Sequence, residues 1–358
     1  MKFIGKGVIF INNLKAKRCI RCLAVEARSK GTLIGDDGVC NHCKINPSRY
    51  NRMSWEEKEQ KFLELIHAAK GKHRYDGFIM MSGGKDSTYL ALKLKNEYKL
   101  NLMAMSVDNG FEYPDSFDNA RKVCDKLGIP YIILQPDMRQ LRKFYRYIIT
   151  EKHLRHDDYS QICLYCGNYL KRQVDIYAEK FDAAYIFSGY NPDQVTELGE
   201  AAIVEADPGL AQYQQMIKRT LDEKMQDAYQ YTLQKNDPEL AACFELPRTK
   251  ILYYYQHFPY DPIHMLATIR QELDWEPIKR FSKNYLVSGC QLVCTLVHLC
   301  QQKNIPDYIQ KEFSAQIRRG TLTKEQVEKV MAEIKFSNEE IDETLAKLDL
   351  TCAQMLTL

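Results

Sequence analysis

A chain of 358 residues is long enough to bury a substantial core, as one large domain with appendages or as two domains. Its 50 lysines and arginines nearly balance its 47 aspartates and glutamates, so the net charge of +3 excludes a strongly basic nucleic-acid binder and leaves room only for a local basic patch. Twelve cysteines, no run of 18 apolar residues and only a short apolar stretch in residues 1–13, broken by Lys6, point to a soluble cytoplasmic protein, off the membrane, whose C-x-x-C pairs bind metal.

Residues 15–50 are rich in Cys, Gly and charge and poor in hydrophobic periodicity. Cys19-x-x-Cys22 and Cys40-x-x-Cys43 stand 17 residues apart, the spacing of a zinc ribbon or knuckle, and four thiolates close the coordination of Zn²⁺ without leaving a place for water. The site is therefore structural, and the metal replaces a missing core. Ser54, with Glu57 three positions later, is a capping box that opens an amphipathic helix to about residue 69.

From 76 to 195 short apolar strands at 77–81, 102–107, 131–134 and 185–187 alternate with helices at 87–98, 114–127 and 167–181. That alternation predicts an α/β fold with a parallel, doubly wound sheet. Residues 212–235 read as a polar helix, Tyr253-Tyr254-Tyr255 beside Ile251 and Leu252 as a strand, and the tail from Asp307 as helical, with an N-cap signal in Thr321-Leu322-Thr323-Lys324-Glu325-Gln326. The expected division is 1–50 as zinc ribbon, 51–205 as nucleotide-binding domain and 206–358 as a mainly helical region for substrate or partner.

Between the first strand and its helix lies Ser82-Gly83-Gly84-Lys85-Asp86-Ser87. Two glycines let the backbone turn tightly with its N–H groups inward, and the helix that follows adds the positive end of its dipole, which together attract phosphate. Lys85 and the hydroxyls of Ser82 and Ser87 add donors. A Walker A loop would need glycine where Ile79 stands and Ser or Thr where Asp86 stands, so this is a different phosphate loop. Asp108, at the carboxyl end of the second strand, is the candidate for the nucleoside, and Asp193 a second acidic candidate for Mg²⁺.

Cys163-Leu164-Tyr165-Cys166-Gly167 reads as a pair just ahead of a helix, with Cys290, Cys294 or Cys300 as third ligand and Cys290 preferred for the turn at Ser288-Gly289. An iron–sulfur cluster, a second zinc and unligated thiols all remain open for them. Arg139, Arg142, Lys143 and Arg146 cluster at spacings of a solvated helix face, and Cys124, Cys243 and Cys352 read as core.

The loop resembles that of the PP-loop ATP-pyrophosphatases. The resemblance implies that a substrate carbonyl or amide oxygen attacks the α-phosphorus of ATP, that pyrophosphate leaves with Mg²⁺, and that a nucleophile then displaces AMP. It also implies that Lys85, Asp86 and Ser87 act in catalysis while Ser82, Gly83 and Gly84 hold phosphate. The segment from Cys19 to Cys43 with Asp37-Gly38-Val39-Cys40, together with Gly189-Tyr190-Asn191-Pro192 and Ile317-Arg318-Arg319-Gly320-Thr321-Leu322-Thr323-Lys324-Glu325, resembles the N-acetyl sugar amidotransferases of surface-polysaccharide (lipopolysaccharide) biosynthesis. That likeness implies nitrogen transfer to a nucleotide-sugar-like small molecule, ammonia from a partner glutaminase, and a homo-oligomer. Cys163-x-x-Cys166-Gly167 is similar instead to the segment that holds a 4Fe–4S cluster in PP-loop tRNA thiolases, which implies sulfur transfer, a sulfur-donor partner and a tRNA or small-molecule acceptor. Near-neutral charge ranks tRNA behind the small molecule. A nucleotide-binding regulatory protein with a zinc ribbon is the remaining alternative.

Overall fold

The computed structural model describes residues 17–26, 32–44, 54–155, 159–191, 222–279, 289–303, 307–333 and 336–358. The expectations for residues 1–13, for Asp193 and for 212–221 lie outside them. Helix α1 (Trp55–Ala69) opens on the capping box read from the sequence: Ser54 Oγ accepts the Glu57 N–H at 3.2 Å, and the Glu57 carboxylate accepts the Ser54 N–H at 2.7 Å. Its buried Phe62 and Ile66 lie four residues apart, on one face.

Strands β1 (Gly77–Met80), β2 (Leu102–Val107), β3 (Tyr131–Leu134), β4 (Ile186–Ser188) and β5 (Ile251–Tyr253) form one sheet in the order β3-β2-β1-β4-β5, with every neighbouring pair parallel. Parallel neighbours require crossovers. These are supplied by α2 (Lys85–Leu92, continued as a π-helical turn over Lys93–Glu97), α3 (Pro114–Leu127), α4 (Met138–Thr150) and α5 (Ser160–Lys180). Side chains alternate across the sheet: Ile79 packs with Phe62, Leu90 and Leu266 on one face, while Phe78 packs with Val174 and Ala178 of α5 on the other. The sheet is thus covered on both sides and doubly wound, as the alternation predicted. Strand order reverses between β1 and β4, so a crevice opens above their carboxyl ends, where open α/β sheets take ligands.

Two boundaries differ from the sequence reading. Strand β5 belongs to the sheet, so residue 205 does not end the α/β unit, and α6 (Pro262–Leu273) packs on α2. Helix α5 begins at Ser160 rather than at 167, placing Cys163 and Cys166 inside it. A buried Gly167 costs a helix only about 1 kcal/mol, too little to interrupt one whose first half packs in a second core.

That second core joins the first half of α5 and α4 to α7 (Gln291–Gln302), α8 (Tyr308–Arg319), α9 (Lys324–Glu333), α10 (Asn338–Ala346) and α11 (Cys352–Thr357). Helix α9 has the cap signalled by its sequence, with the Thr323 hydroxyl accepting the Gln326 N–H at 3.1 Å. Among the described residues no helix is long and apolar enough to cross a membrane.

Candidate active site

The loop after β1 lines a cleft of about 290 Å³ at the reversal of strand order. Gly83 takes φ +72°, and a Cβ there would lie 1.9 Å from the Ser116 carbonyl oxygen, so only glycine fits. Gly84 is different: it caps α2 in extended conformation, and a Cβ would meet only Ser82 Oγ at 3.4 Å. No side chain caps the first turn of α2, which leaves its amides facing an opening that suits an anion. Ser82 and Ser87 stand with hydroxyl oxygens 3.0 Å apart, and the Ser82 N–H donates to Ser87 Oγ at 3.2 Å. From the β4 side Gly189 comes so close that a Cβ would lie 3.1 Å from the Ser87 nitrogen.

Lys85 does not reach freely into the cleft. Its buried ammonium donates to both Asp86 carboxylate oxygens at 2.9 and 2.8 Å and to the Tyr260 hydroxyl at 2.9 Å. The Tyr260 hydroxyl donates to Asp86 Oδ1 at 3.0 Å, and Tyr255 donates to the Asp86 carbonyl at 2.8 Å. Trp275 Nε1–H donates to the Gly83 carbonyl at 2.9 Å from a buried position. Three aromatic residues far along the chain therefore hold the loop, and no local pattern announced them. Glu312 of α8 also lines the cleft; buried, it accepts from Asn191 at 2.7 Å and from Gln316 at 3.1 Å.

At the end of β2, Asp108 accepts the Gly110 N–H at 2.8 Å and so starts a turn, while Ser106, Val107 and Glu112 are the residues of that segment that line the cleft. Glu112, which the sequence reading passed over, accepts from Asn109 Nδ2 at 3.3 Å and pairs through its backbone with Cys290. Burial pushes its carboxyl up to about 7; Asn109 opposes the rise and the charge of Asp108 adds to it.

Cys163, Cys166 and Cys290 converge beside this wall. Burial, and after it the charges of Glu112, Cys166 and Cys163, raise the Cys290 thiol well above its ordinary range. Tyr145 places its hydroxyl 3.0 Å from Cys166 Sγ, and Asn109 Nδ2 stands 3.9 Å from Cys290 Sγ. Leu170, one turn beyond Cys166, lines the cleft. Among the described residues the only metal-ligating groups of three or more with donor atoms within 4.8 Å of one another are Cys19, Cys22, Cys40 and Cys43. The trio is therefore no single-ion cage. A four-iron cluster holds its thiolates at the corners of a larger cube than a single ion does.

The N-terminal four do form such a cage. Cys19 and Cys43 sulfurs lie 3.8 Å apart and Cys22 and Cys40 sulfurs 3.6 Å, against about 3.8 Å for the edge of a tetrahedron with Zn–S bonds of about 2.3 Å. Backbone N–H groups of Cys40 and Cys43 point at Cys19 and Cys40 sulfurs, at 3.3 and 3.4 Å. For Cys19, burial raises the thiol, but the N–H groups of Cys40, Cys22 and Arg21 outweigh it and bring it to about 6. Burial and then the Cys22 thiol drive Cys40 up to about 11 and push Cys43 up as well, with the Cys43 N–H opposing the rise at Cys40. Thiols crowded in this way ionise together only around a cation. The residues fit Zn²⁺.

Arg139, Arg142, Lys143 and Arg146 of α4 all stay exposed, and intramolecular partners hold three of them. Arg146 donates to the Leu348 and Asp349 carbonyls at 2.8 and 2.7 Å, Lys143 pairs with Asp237, and Arg139 pairs with Asp137.

Sheet order, crevice and loop together define a doubly wound parallel α/β fold with an anion-suited glycine loop at the reversal of strand order. No family model matches the chain. It is similar to the cytoplasmic tRNA 2-thiolation protein 1 of Schizosaccharomyces pombe, 31% identical over 126 residues that make up 33% of this chain and 36% of that protein. An uncharacterized protein of Methanocaldococcus jannaschii is 26% identical over 227 residues, 62% of this chain and 73% of the relative. The chain spans about a third of the length of the tRNA 2-thiolation relatives it matches. Among solved structures, the U34-tRNA thiolase NcsA from Methanococcus maripaludis with its 4Fe-4S cluster aligns over 89% of both chains at 18% identity and a TM-score of 0.36, a likeness too distant to argue from.

Proposed function

We propose that the protein is an ATP-dependent sulfurtransferase of the PP-loop type that activates a carbonyl oxygen, with tRNA as the acceptor class. The observation that carries this reading is that Cys163, Cys166 and Cys290 gather beside two residues that line the phosphate-loop cleft, Glu112, bridged through its backbone to Cys290, and Leu170, one turn beyond Cys166. Similarity to tRNA 2-thiolation proteins supports sulfur over nitrogen, and tRNA over the small molecule ranked first on net charge. Nitrogen transfer to a sugar, lipopolysaccharide biosynthesis and a glutaminase partner rest on the sequence likeness alone. Cytoplasmic location accords with the relatives' name.

In this reading the uncapped first turn of α2 and the hydroxyls of Ser82 and Ser87 bind the phosphates. Lys85, held by Asp86 and Tyr260, faces the charge that develops as pyrophosphate leaves. Asp86 orients Lys85 or the Mg²⁺, and Asp108 and Asp193 stand as candidates beside the nucleoside and the metal. The acceptor's carbonyl oxygen bonds to the α-phosphorus as the bond to pyrophosphate breaks; sulfur then bonds to the carbonyl carbon and AMP departs with the oxygen. Glu112, still partly protonated near neutrality, can exchange a proton at the wall between loop and cysteines. A 4Fe–4S cluster on Cys163, Cys166 and Cys290 would supply the sulfur.

Anaerobically purified protein, given unmodified tRNA, ATP, Mg²⁺ and sulfide, is expected to yield a thiolated nucleoside by mass spectrometry together with AMP. An aminated product from ammonia or glutamine, with none from sulfide, would return the chain to the amidotransferase reading.

A further inference from the structure

Helix α8 meets the cysteine knuckle at its C-terminal end. Near its C-terminal end the Arg318 guanidinium donates to Cys22 Sγ at 3.5 Å, Ile317 packs on the knuckle's small apolar core, and Lys324 beyond it donates to the Ile20 carbonyl at 3.5 Å. At its N-terminal end the helix is capped by Asp307, whose carboxylate accepts the Gln310 N–H at 2.8 Å. Twelve residues make a rod of about 18 Å, so a hold at its C-terminal end bears on what its middle presents. The middle presents Glu312, which lines the nucleotide cleft and whose charge reaches Tyr260, the residue that holds Lys85 and Asp86.

Ile309 and Phe313 seat the helix in the second core, while Gln310, Glu312, Ser314 and Gln316 are buried beside them and, as polar groups, add little hydrophobic drive. The knuckle, with few apolar residues, owes its shape to its metal. Four thiolates around Zn²⁺ leave two net negative charges, and Arg318 is the cation placed on them.

We propose that the metal-loaded knuckle is a strut that sets α8, with Arg318 as the positioning residue and Glu312 as the group delivered to the cleft wall, so that affinity for ATP depends on zinc bound some distance from the loop. The inference rests on reading the loop as an ATP site. It is tested by calorimetric ATP binding and by hydrogen exchange followed by mass spectrometry, on zinc-loaded protein, on protein stripped by a chelator, and on Arg318→Ala, Arg318→Lys and Glu312→Gln.

Zinc removal is expected to weaken ATP binding about tenfold or more and to strip amide protection from α8 while β1 and β2 keep theirs. Arg318→Ala, still loaded with zinc, should do part of this, and Arg318→Lys should restore most of it. Glu312→Gln should weaken binding with α8 still protected. Unchanged affinity after stripping, or unchanged α8 protection, overturns the strut, as does loss of protection in β1 and β2 together with α8. If loaded protein binds no ATP, the sulfurtransferase reading falls, and the exchange result on α8 alone decides for or against the strut.

Discussion

Replacing Gly83 by alanine puts a methyl group 1.9 Å from the Ser116 carbonyl oxygen and asks an L side chain to hold φ at +72°. The left-handed backbone costs about 1–2 kcal/mol, and pushing aside the backbone of α3 about 1–3 kcal/mol more. A total of about 2–5 kcal/mol is a large share of a stability of about 5–15 kcal/mol and should lower the melting midpoint by roughly 3–7 °C. Gly84→Ala is the matched control. Its backbone is extended and its methyl would meet only Ser82 Oγ at 3.4 Å, so the reduced freedom of the unfolded chain should leave the variant as stable as the parent or about 0.4–1 kcal/mol more so. The same methyl sits at the lip of the cleft and should weaken ATP binding at least about tenfold through lost phosphate contacts. Urea denaturation and calorimetric ATP titration of the two variants, side by side, separate the effects. Gly83→Ala melting with the parent, or Gly84→Ala losing as much stability as Gly83→Ala, would refute the account of the loop.

Lys85→Ala should abolish pyrophosphate release and, by stranding a carboxylate whose side chain is 22% exposed, cost about 3 kcal/mol, the low end for a broken buried pair; wild-type turnover would remove Lys85 from the mechanism. Glu112 keeps its proton to about 7 in the folded protein against 4.5 ordinarily, so folding binds a proton between those values. Its contribution to stability is full below about pH 4.5 and is lost as pH rises through about 7, and Glu112→Gln should flatten that fall in urea denaturation series; an unchanged slope would show the group ionises normally. Elemental analysis of oxygen-free protein should find zinc that is lost in Cys19→Ser, and iron with sulfide that is lost in Cys163→Ser while zinc stays. Loss of both metals in either variant would contradict two separate sites.

The local signals carried much of this fold. Ser54 with Glu57, and Thr323 with Gln326, cap helices where short-range hydrogen bonding says they should, because a cap is decided within four residues. The phosphate loop could be read because strand, glycine turn and helix are contiguous. What could not be read was decided by packing between distant segments. Trp275 and Tyr260 reach the loop across nearly two hundred residues, and Glu312 enters the cleft from a helix whose sequence looks like an ordinary polar one. The start of α5 was misplaced because Gly167 looks like a boundary, whereas burial on both halves of the helix overrides one glycine. Asp108 also accepts the Gly110 N–H, a turn contact that stands beside its candidate place at the nucleoside.

The identity of the phosphate products tests the central claim most directly. Phosphorus NMR of ATP consumed by anaerobically purified protein with Mg²⁺, tRNA and sulfide should show AMP and pyrophosphate in equal amounts, keeping pace with thiolated nucleoside. ADP and orthophosphate in their place would contradict cleavage between the α and β phosphates, and with it the role given to the loop from Ser82 to Ser87.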